Sequence, residues 1–317
     1  MTDKQINRHL RCRFTVIGWA LLGYDLFMNV LVIWSMAVDS LKQLFPAFVS
    51  GRLPMMDTEA MMNNAWPYLL TATLALVILH AWKGPDHWHR EIWARGQKMT
   101  GKVFFCLLCF CVGAQMINTL WITGLEVVMN CFGRSVMTIL EQVAGSTDTL
   151  SMFVYASIVA PLSEELIFRG YALRALRPYG KRFAIVGSAL LFGLFHGNLL
   201  QTPYAVLVGL ILGYVTVEYS IFWAIAIHVF NNLVLADLLT RLTMTWSEMA
   251  VGMMNLALFG GCLLLSVGIL IRNREEIRFY RENEWIDRRV LKCFFTNSGI
   301  LVLSLVMILN MILMLFM

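Results

Sequence analysis

The stretch SEELIFRG, residues 163–170, decides the fold, because it places charged side chains inside a run that is otherwise apolar. An ionisable group at membrane depth costs on the order of 3 kcal/mol even on permissive scales, so each one needs a partner or a function. Glu165 and Arg169 are four residues apart, which brings their side chains together on one helix. The stretch therefore predicts a membrane-spanning helix that carries an ion pair between Glu165 and Arg169.

The composition of the whole chain supports a membrane protein. The 317 residues are 59% hydrophobic and 14% charged, whereas soluble domains carry about 25% charged residues. Apolar runs recur from residue 14 to residue 317, and no polar segment between them is long enough to fold separately. The sequence predicts an all-α polytopic membrane protein that forms a single domain over residues 1–317.

The charge and the cysteines exclude other classes of protein. The net charge is +5, but the Lys and Arg residues lie in short clusters beside apolar runs, as they do beside membrane spans, so we expect no nucleic-acid partner. The seven cysteines show neither a disulfide framework nor the paired spacing of a structural zinc site.

Apolar runs of about 17 to 25 residues mark the candidate spans. They are residues 14–38, 65–82, 103–124, 151–172, 183–200, 203–219, 221–240, 249–271 and 294–317. The first run is too long for the apolar part of a signal peptide, so we expect an uncleaved anchor. Because only residues 200–202 separate the fifth and sixth runs, these two could form a partly inserted hairpin, and the prediction is about eight or nine spans.

The basic clusters predict the orientation. Residues 8–13, 83–102, 174–182 and 272–292 hold most of the Lys and Arg, whereas the loops 39–64 and 125–150 have as many or more acids than bases. If all nine runs cross, every basic cluster falls on one side, which predicts a cytoplasmic N-terminus. Two of these clusters also predict interfacial structure.

Residues 272–289 alternate charged and apolar side chains and predict an amphipathic helix at the interface. Residues 83–102 hold His87 and His89 among tryptophans, which favours an interfacial aromatic belt with solvated histidines over a metal site.

Most ionisable residues flank the candidate spans, and few lie within the spans at membrane depth. Asp25, His80, Glu218 and Asp237 can be interpreted as helix–helix or interfacial contacts. Glu164 differs, because it points about 100° around the helix from Glu165, so that Arg169 cannot serve both carboxylates. A glutamate without a local counter-charge in a poorly solvated place is suited to take a proton from water.

The four-residue spacing recurs in two later apolar runs. Phe192 and His196 lie on one face of their helix, and His228 and Asn232 lie on one face of theirs. A rise of about 1.5 Å per residue puts Glu164 roughly 15 Å, His196 roughly 20 Å, His228 roughly 10 Å and Asn232 roughly 16 Å from the basic side. These groups can therefore meet near mid-membrane.

The chemistry that suits these groups is peptide-bond hydrolysis without a protein nucleophile. Glu164 would activate water, His196 would orient the water or carry a proton, and His228 with Asn232 would donate hydrogen bonds to the oxyanion. The chain contains neither a GxSxG nor an HExxH motif.

With these residues in place, the sequence resembles the CAAX protease and bacteriocin-processing (CPBP, or Abi) family of intramembrane endopeptidases, which includes the type II CAAX prenyl endopeptidases. The family pattern EExxxR, FxxxH and HxxxN is matched in order by residues 164–169, 192–196 and 228–232. The resemblance covers roughly residues 150–240, the expected catalytic core, and implies a polar, conical catalytic cavity.

The resemblance also implies a role for each matched residue. Glu164 would activate water, and Glu165 with Arg169 would brace the helix. His196 would assist the water, while His228 and Asn232 would form the oxyanion site. The expected reaction needs no cofactor; zinc held by Glu164, His196 and His228 is the alternative.

Two other functions remain open at this stage. The same polar cluster could brace a non-proteolytic immunity or scaffold protein, or it could serve a proton-coupled transporter, although neither broken helices nor inverted repeats are visible in the sequence. The expected partners are membrane lipid and a peptide or lipidated-peptide substrate. The sequence does not indicate an oligomeric state.

Overall fold

In the computed structural model of the chain, the described residues are 3–49, 64–137, 149–283 and 286–316, and every long regular element among them is helical. The helices are α1 Asp3–Val49, α2 Trp66–Asp86, α3 Gly101–Asn130, α4 Leu150–Tyr179, α5 Lys181–Phe195, α6 Thr202–Glu218, α7 Ile221–Thr243, α8 Glu248–Arg272, α9 Arg274–Asn283, α10 Arg288–Phe295 and α11 Ser298–Phe316. A π-helical turn, His87–Ile92, follows α2 directly.

Each of the nine apolar runs corresponds to one long helix, so the prediction of an all-α polytopic membrane protein is confirmed. Among the described residues, six helices are long and apolar enough to cross a membrane, namely α1, α3, α4, α7, α8 and α11. The fifth and sixth runs form α5 and α6, with 15 and 17 residues. At 1.5 Å per residue these helices measure about 23 and 26 Å, less than the roughly 30 Å of the hydrocarbon core.

Helices α5 and α6 form an antiparallel hairpin. Lys181 Nζ lies 3.4 Å from Glu218 Oε1, which joins the start of α5 to the end of α6. Thr202, at the start of α6, donates from its hydroxyl to the carbonyl of Gly193 near the end of α5. The hairpin is therefore held at both ends.

The predicted basic clusters meet at one end of the molecule, here called the basic end. The Gly96 N–H donates to Tyr219 O at 2.6 Å and joins the segment after α2 to the corner between α6 and α7. Arg182 Nη1 donates to Arg281 O at 3.0 Å, and Arg289 Nη1 lies 2.8 Å from Asp3 Oδ1. Four basic segments that are far apart in the sequence thus share one end.

The predicted acidic loops are shorter than expected, since α1 continues to Val49 and α3 to Asn130. Residues 50–63 and 138–148 lie outside the described residues. The same is true of Trp285 in the predicted interfacial segment, of which α9 forms the first part.

An aromatic cluster joins α1 to the later helices at the basic end. Phe14 packs edge-to-face against Tyr179 and Phe294, with ring centroids 5.3 and 5.5 Å apart, and Phe183 packs against Phe294 at 5.4 Å. All three phenylalanines are buried. Such contacts add to the burial of apolar area and fix how α1, α5 and α10 meet.

Two helices that carry the predicted motifs contain π-helical stretches. In α4 these are Tyr155–Val159 and Leu166–Leu173, and in α7 the stretch is Asn231–Leu238. All eight residues of Leu166–Leu173 are buried. A π-helical stretch widens the helix and turns side chains to new directions, often at functional sites.

Candidate active site

The ion pair of α4 is completely buried. Arg169 Nη1 lies 2.8 Å from Glu165 Oε1, and both side chains have 0% exposure. Arg169 also donates from Nη2 to Gly209 O of α6 at 3.2 Å, and its guanidinium lies 4.3 Å from the ring centroid of Phe192 of α5. The pair therefore ties α4 to the α5–α6 hairpin, as expected for a brace.

Glu164 has a different environment. Its side chain is 24% exposed, and its Oε2 lies 3.7 Å from His228 Nε2, which is longer than a hydrogen bond. Glu164 is thus the accessible carboxylate of the two.

His228 lies between the two glutamates. Its Nδ1 is 2.9 Å from Glu165 Oε1, and because that carboxylate oxygen can only accept, the imidazole donates from Nδ1. Its Nε2 is then directed toward Glu164. The sequence predicted His228 as an oxyanion donor beside Asn232, or alternatively as a zinc ligand, and no spacing in the sequence predicts its contact with Glu165 on another helix.

The tautomer of His196 follows from its hydrogen bond. Its Nδ1 lies 2.8 Å from the carbonyl oxygen of Phe192, which can only accept, so Nδ1 carries the proton. Nε2 is then left with a lone pair. The Phe192 ring contacts both imidazoles edge-on, with centroids 4.8 Å from His196 and 5.7 Å from His228, so one aromatic ring packs against both histidines.

Asn232 joins α7 to α4. Its Nδ2 donates to Ala156 O at 3.1 Å, within the first π-helical stretch of α4. Its Oδ1 accepts from Asn231 Nδ2 at 3.1 Å, and Asn231 Oδ1 accepts from the Tyr204 hydroxyl of α6. Asn231 and Tyr204 were not predicted as site residues, although the Asn231–Asn232 doublet within an apolar run was a usable signal.

The structure thus brings the predicted residues of three helices into one group. Glu164, Glu165 and Arg169 come from α4, Phe192 and His196 from α5, and His228 and Asn232 from α7. His228 and Phe192 contact both neighbouring helices and form the centre of the group.

The remaining polar residues at membrane depth are placed elsewhere. Glu218 pairs with Lys181, Asp237 pairs with Arg241 at 2.9 Å, and His80 packs against Trp88 with ring centroids 5.4 Å apart. Asp25 is buried in α1. None of these contacts involves the motif residues.

The expectation that His87 is solvated is wrong. The side chain is buried, and its Nε2 lies 3.1 Å from Gly170 O while Nδ1 lies 2.9 Å from Glu91 Oε2. This histidine therefore anchors the segment after α2 to α4, directly after Arg169.

No group of three or more His, Cys, Asp and Glu side chains in the described part of the chain is arranged to hold a metal ion. The expectation that the reaction needs no cofactor stays a prediction. The conical shape of the cavity also stays a prediction.

Comparison with models of protein families gives a match. Residues 146–234 match the model of the type II CAAX prenyl endopeptidase Rce1-like family, and the matched segment contains all three motifs. Over these residues the resemblance to the CPBP family is confirmed. Neither curated proteins nor solved structures gave a match.

Proposed function

We propose that the protein is an intramembrane endopeptidase, which hydrolyses a peptide bond of a membrane-associated or lipidated peptide with a glutamate-activated water. The matched family is one of CAAX prenyl endopeptidases, which supports a prenylated peptide as the first substrate to test.

The observation that carries the proposal is the placement of His228 between two unlike glutamates. Glu165 is fully buried and bonded to Arg169, whereas Glu164 is partly exposed and its carboxylate has no hydrogen bond within the described part of the chain. A structural brace needs only the first carboxylate. The second lies beside an imidazole nitrogen that is already oriented by the first, which is the arrangement expected of an acid–base catalyst with a positioning group.

In the proposed reaction, Glu164 removes a proton from a water molecule, whose oxygen attacks the carbonyl carbon of the peptide bond. The carbonyl oxygen becomes an oxyanion, which the second N–H of the Asn232 amide would stabilise. His228 would add a hydrogen bond from Nε2 when that nitrogen also carries a proton, because Nδ1 already donates to Glu165. His196 Nε2 would accept a hydrogen bond from the attacking water. The tetrahedral intermediate collapses as the C–N bond breaks, and Glu164 returns its proton to the leaving nitrogen.

The test compares Glu164→Gln with the wild-type protein in phospholipid nanodiscs. Farnesylated and unmodified peptides of one sequence are supplied, and mass spectrometry identifies the products. We expect wild type to cleave the lipidated peptide and Glu164→Gln to lose at least about a thousandfold in rate, since a general base contributes roughly 10²–10⁴-fold and here also generates the nucleophile.

The matched control is Glu248→Gln, the same substitution on α8, which should leave the rate unchanged. Wild-type rates in a correctly folded Glu164→Gln variant would overturn the glutamate mechanism. They would instead favour a scaffold in which the cluster serves only packing.

A further inference from the structure

A second concave site lies at the basic end, outside the motif cluster. It is a pocket of about 800 Å³ between the segment that precedes α3 and the start of α7. Arg95 and Lys98 line one wall, Ser220 and Ile221 line the other, and Trp93 and Trp223 also contribute to the lining.

The N-terminus of α7, which forms one wall of the pocket, has features that favour the binding of an anion. The first N–H groups of a helix have no acceptor inside it and carry partial positive charge. Ser220 stands at the cap position but its side chain accepts no hydrogen bond from the helix. Its residue is 8% exposed and lines the pocket, and its hydroxyl has no hydrogen-bond partner in the described ranges, so the hydroxyl is free to bond to a ligand that enters the pocket.

The opposite wall carries two positively charged side chains, those of Arg95 and Lys98. Arg95 and Lys98 are exposed and carry no ion pair among the described residues. The acids nearest to the pocket residues along the chain are Glu91 and Glu218, which are paired with His87 and Lys181. Cations facing a helix N-terminus across a pocket form a recurrent phosphate-binding arrangement.

We propose that this pocket binds the phosphodiester headgroup of an anionic phospholipid. The position of the pocket in the molecule favours a lipid headgroup over a soluble anion as the bound ligand. It lies among the basic clusters that flank the spans, and tryptophans of the kind found at membrane interfaces line it. Basic pockets between helices at this depth are typical sites for anionic headgroups.

The segment that lines the pocket before α3 is joined by side-chain contacts to α4 and α7, two of the helices that carry the motifs. His87 bonds to Gly170 of α4, and Ile92 packs against Leu166 of α4 and Ile221 of α7. At Gly96 an added Cβ would lie 2.3 Å from Glu218 O, so only glycine lets this segment dock there.

The pocket begins where α7 begins, and His228 lies two turns further along, roughly 10 Å at 1.5 Å per residue. A bound headgroup would therefore hold α4 and α7 together at the basic end.

The test measures lipid binding rather than peptide cleavage, so it does not depend on the proposed function. Full-length protein is incorporated in nanodiscs of phosphatidylcholine with phosphatidylglycerol, released in detergent, and examined by native mass spectrometry for retained lipid. The double variant Arg95→Gln/Lys98→Gln is compared with Arg90→Gln/Lys102→Gln, which removes the same charge from nearby exposed positions outside the pocket lining.

We expect wild type and the control to retain phosphatidylglycerol in preference to phosphatidylcholine, and the pocket variant to lose that preference by about tenfold, as two charge-assisted hydrogen bonds are removed. Ser220→Ala should lower it roughly threefold, as for one neutral hydrogen bond. Equal losses in the two double variants would overturn the proposal. So would displacement of the lipid by millimolar inorganic phosphate, which would identify a site for free phosphate instead.

Discussion

At the scale of the residue, adjacent glutamates on α4 have opposite surroundings. Glu165 is fully buried and bonded to Arg169 and His228, whereas Glu164 is partly exposed and bonded to neither. The same substitution should therefore have different effects at the two positions.

Glu165→Gln should destabilise the protein by about 3–5 kcal/mol, because it leaves the Arg169 guanidinium buried without its counter-charge. Glu164→Gln should cost less than about 1 kcal/mol, since among the described residues the side chain, which is 24% exposed, loses only a 3.7 Å contact with His228. Thermal unfolding in detergent, followed by tryptophan fluorescence, measures both. Equal destabilisation by the two variants would contradict a buried, paired Glu165 beside a partly exposed Glu164.

Removal of metal ions should leave the activity unchanged if the proposed water activation by Glu164 is correct. The cleavage rate is measured before and after incubation with 1,10-phenanthroline and dialysis. A loss of activity that zinc restores would favour the alternative in which Glu164, His196 and His228 bind the metal.

Sequence spacing predicted the residue contacts within a helix better than those between helices. The Glu165–Arg169 pair follows from a separation of four residues, and it is present. The contact of His228 with Glu165 is not local, because it depends on how α7 packs on α4. The hydrogen bond from Asn232 to Ala156 also joins π-helical stretches, whose altered turn a periodicity of 3.6 residues does not predict.

At the scale of the element, the crossing of α1 and α11 depends on small residues. A Cβ added at Gly18 would lie 2.2 Å from the backbone of Gly299, and one added at Gly299 would lie 2.2 Å from Thr15 O. The two backbones are thus in direct contact, which membrane helices achieve with glycine at the interface.

Gly18→Ala should destabilise the protein by about 1–3 kcal/mol, the usual cost of overpacking, because backbone atoms cannot move aside as a flexible side chain does. Gly23→Ala is the matched control on the same helix, since no atom of the described residues lies within 4 Å of its added Cβ. The melting temperature of each variant in detergent is the measurement. A Gly18→Ala protein as stable as Gly23→Ala would show that the helices do not cross there.

The existence of the elements was predictable, but their ends were less so. Apolar runs of span length identified nine long helices, because hydrophobic length is read directly from sequence. The extension of α1 to Val49 and of α3 to Asn130 was not predicted, because charged residues, Asp39 and Lys42 in α1 and Glu126 in α3, interrupt the apolar runs there.

At the scale of the whole molecule, the charge distribution separates two ends. The basic clusters meet at one end, while the opposite end holds the tip of the α5–α6 hairpin, where Leu199 O accepts from Trp121 Nε1 of α3 at 2.9 Å. The sequence predicted this separation from the positions of Lys and Arg alone. It could not predict which helices are neighbours, since that depends on side-chain packing.

Two native cysteines test the predicted cytoplasmic N-terminus. Cys12, on the N-terminal part of α1, and Cys131, just after α3, are both exposed. In variants that keep one of them, a membrane-impermeant maleimide should label Cys131 in intact cells and Cys12 only after the cells are opened. The reverse pattern would place the basic end outside.

The contact between Gly18 and Gly299 also constrains biosynthesis. During translation α1 is made first, but its partner surface on α11 is not synthesised until every other helix described here has been made. The apolar face of α1 around Gly18 therefore lies in the bilayer without its native neighbour, α11, until the last helix is synthesised. Ribosome-bound chains that stop before residue 298 must lack this contact, so they cannot reach the mature packing of α1, however complete their motif helices are.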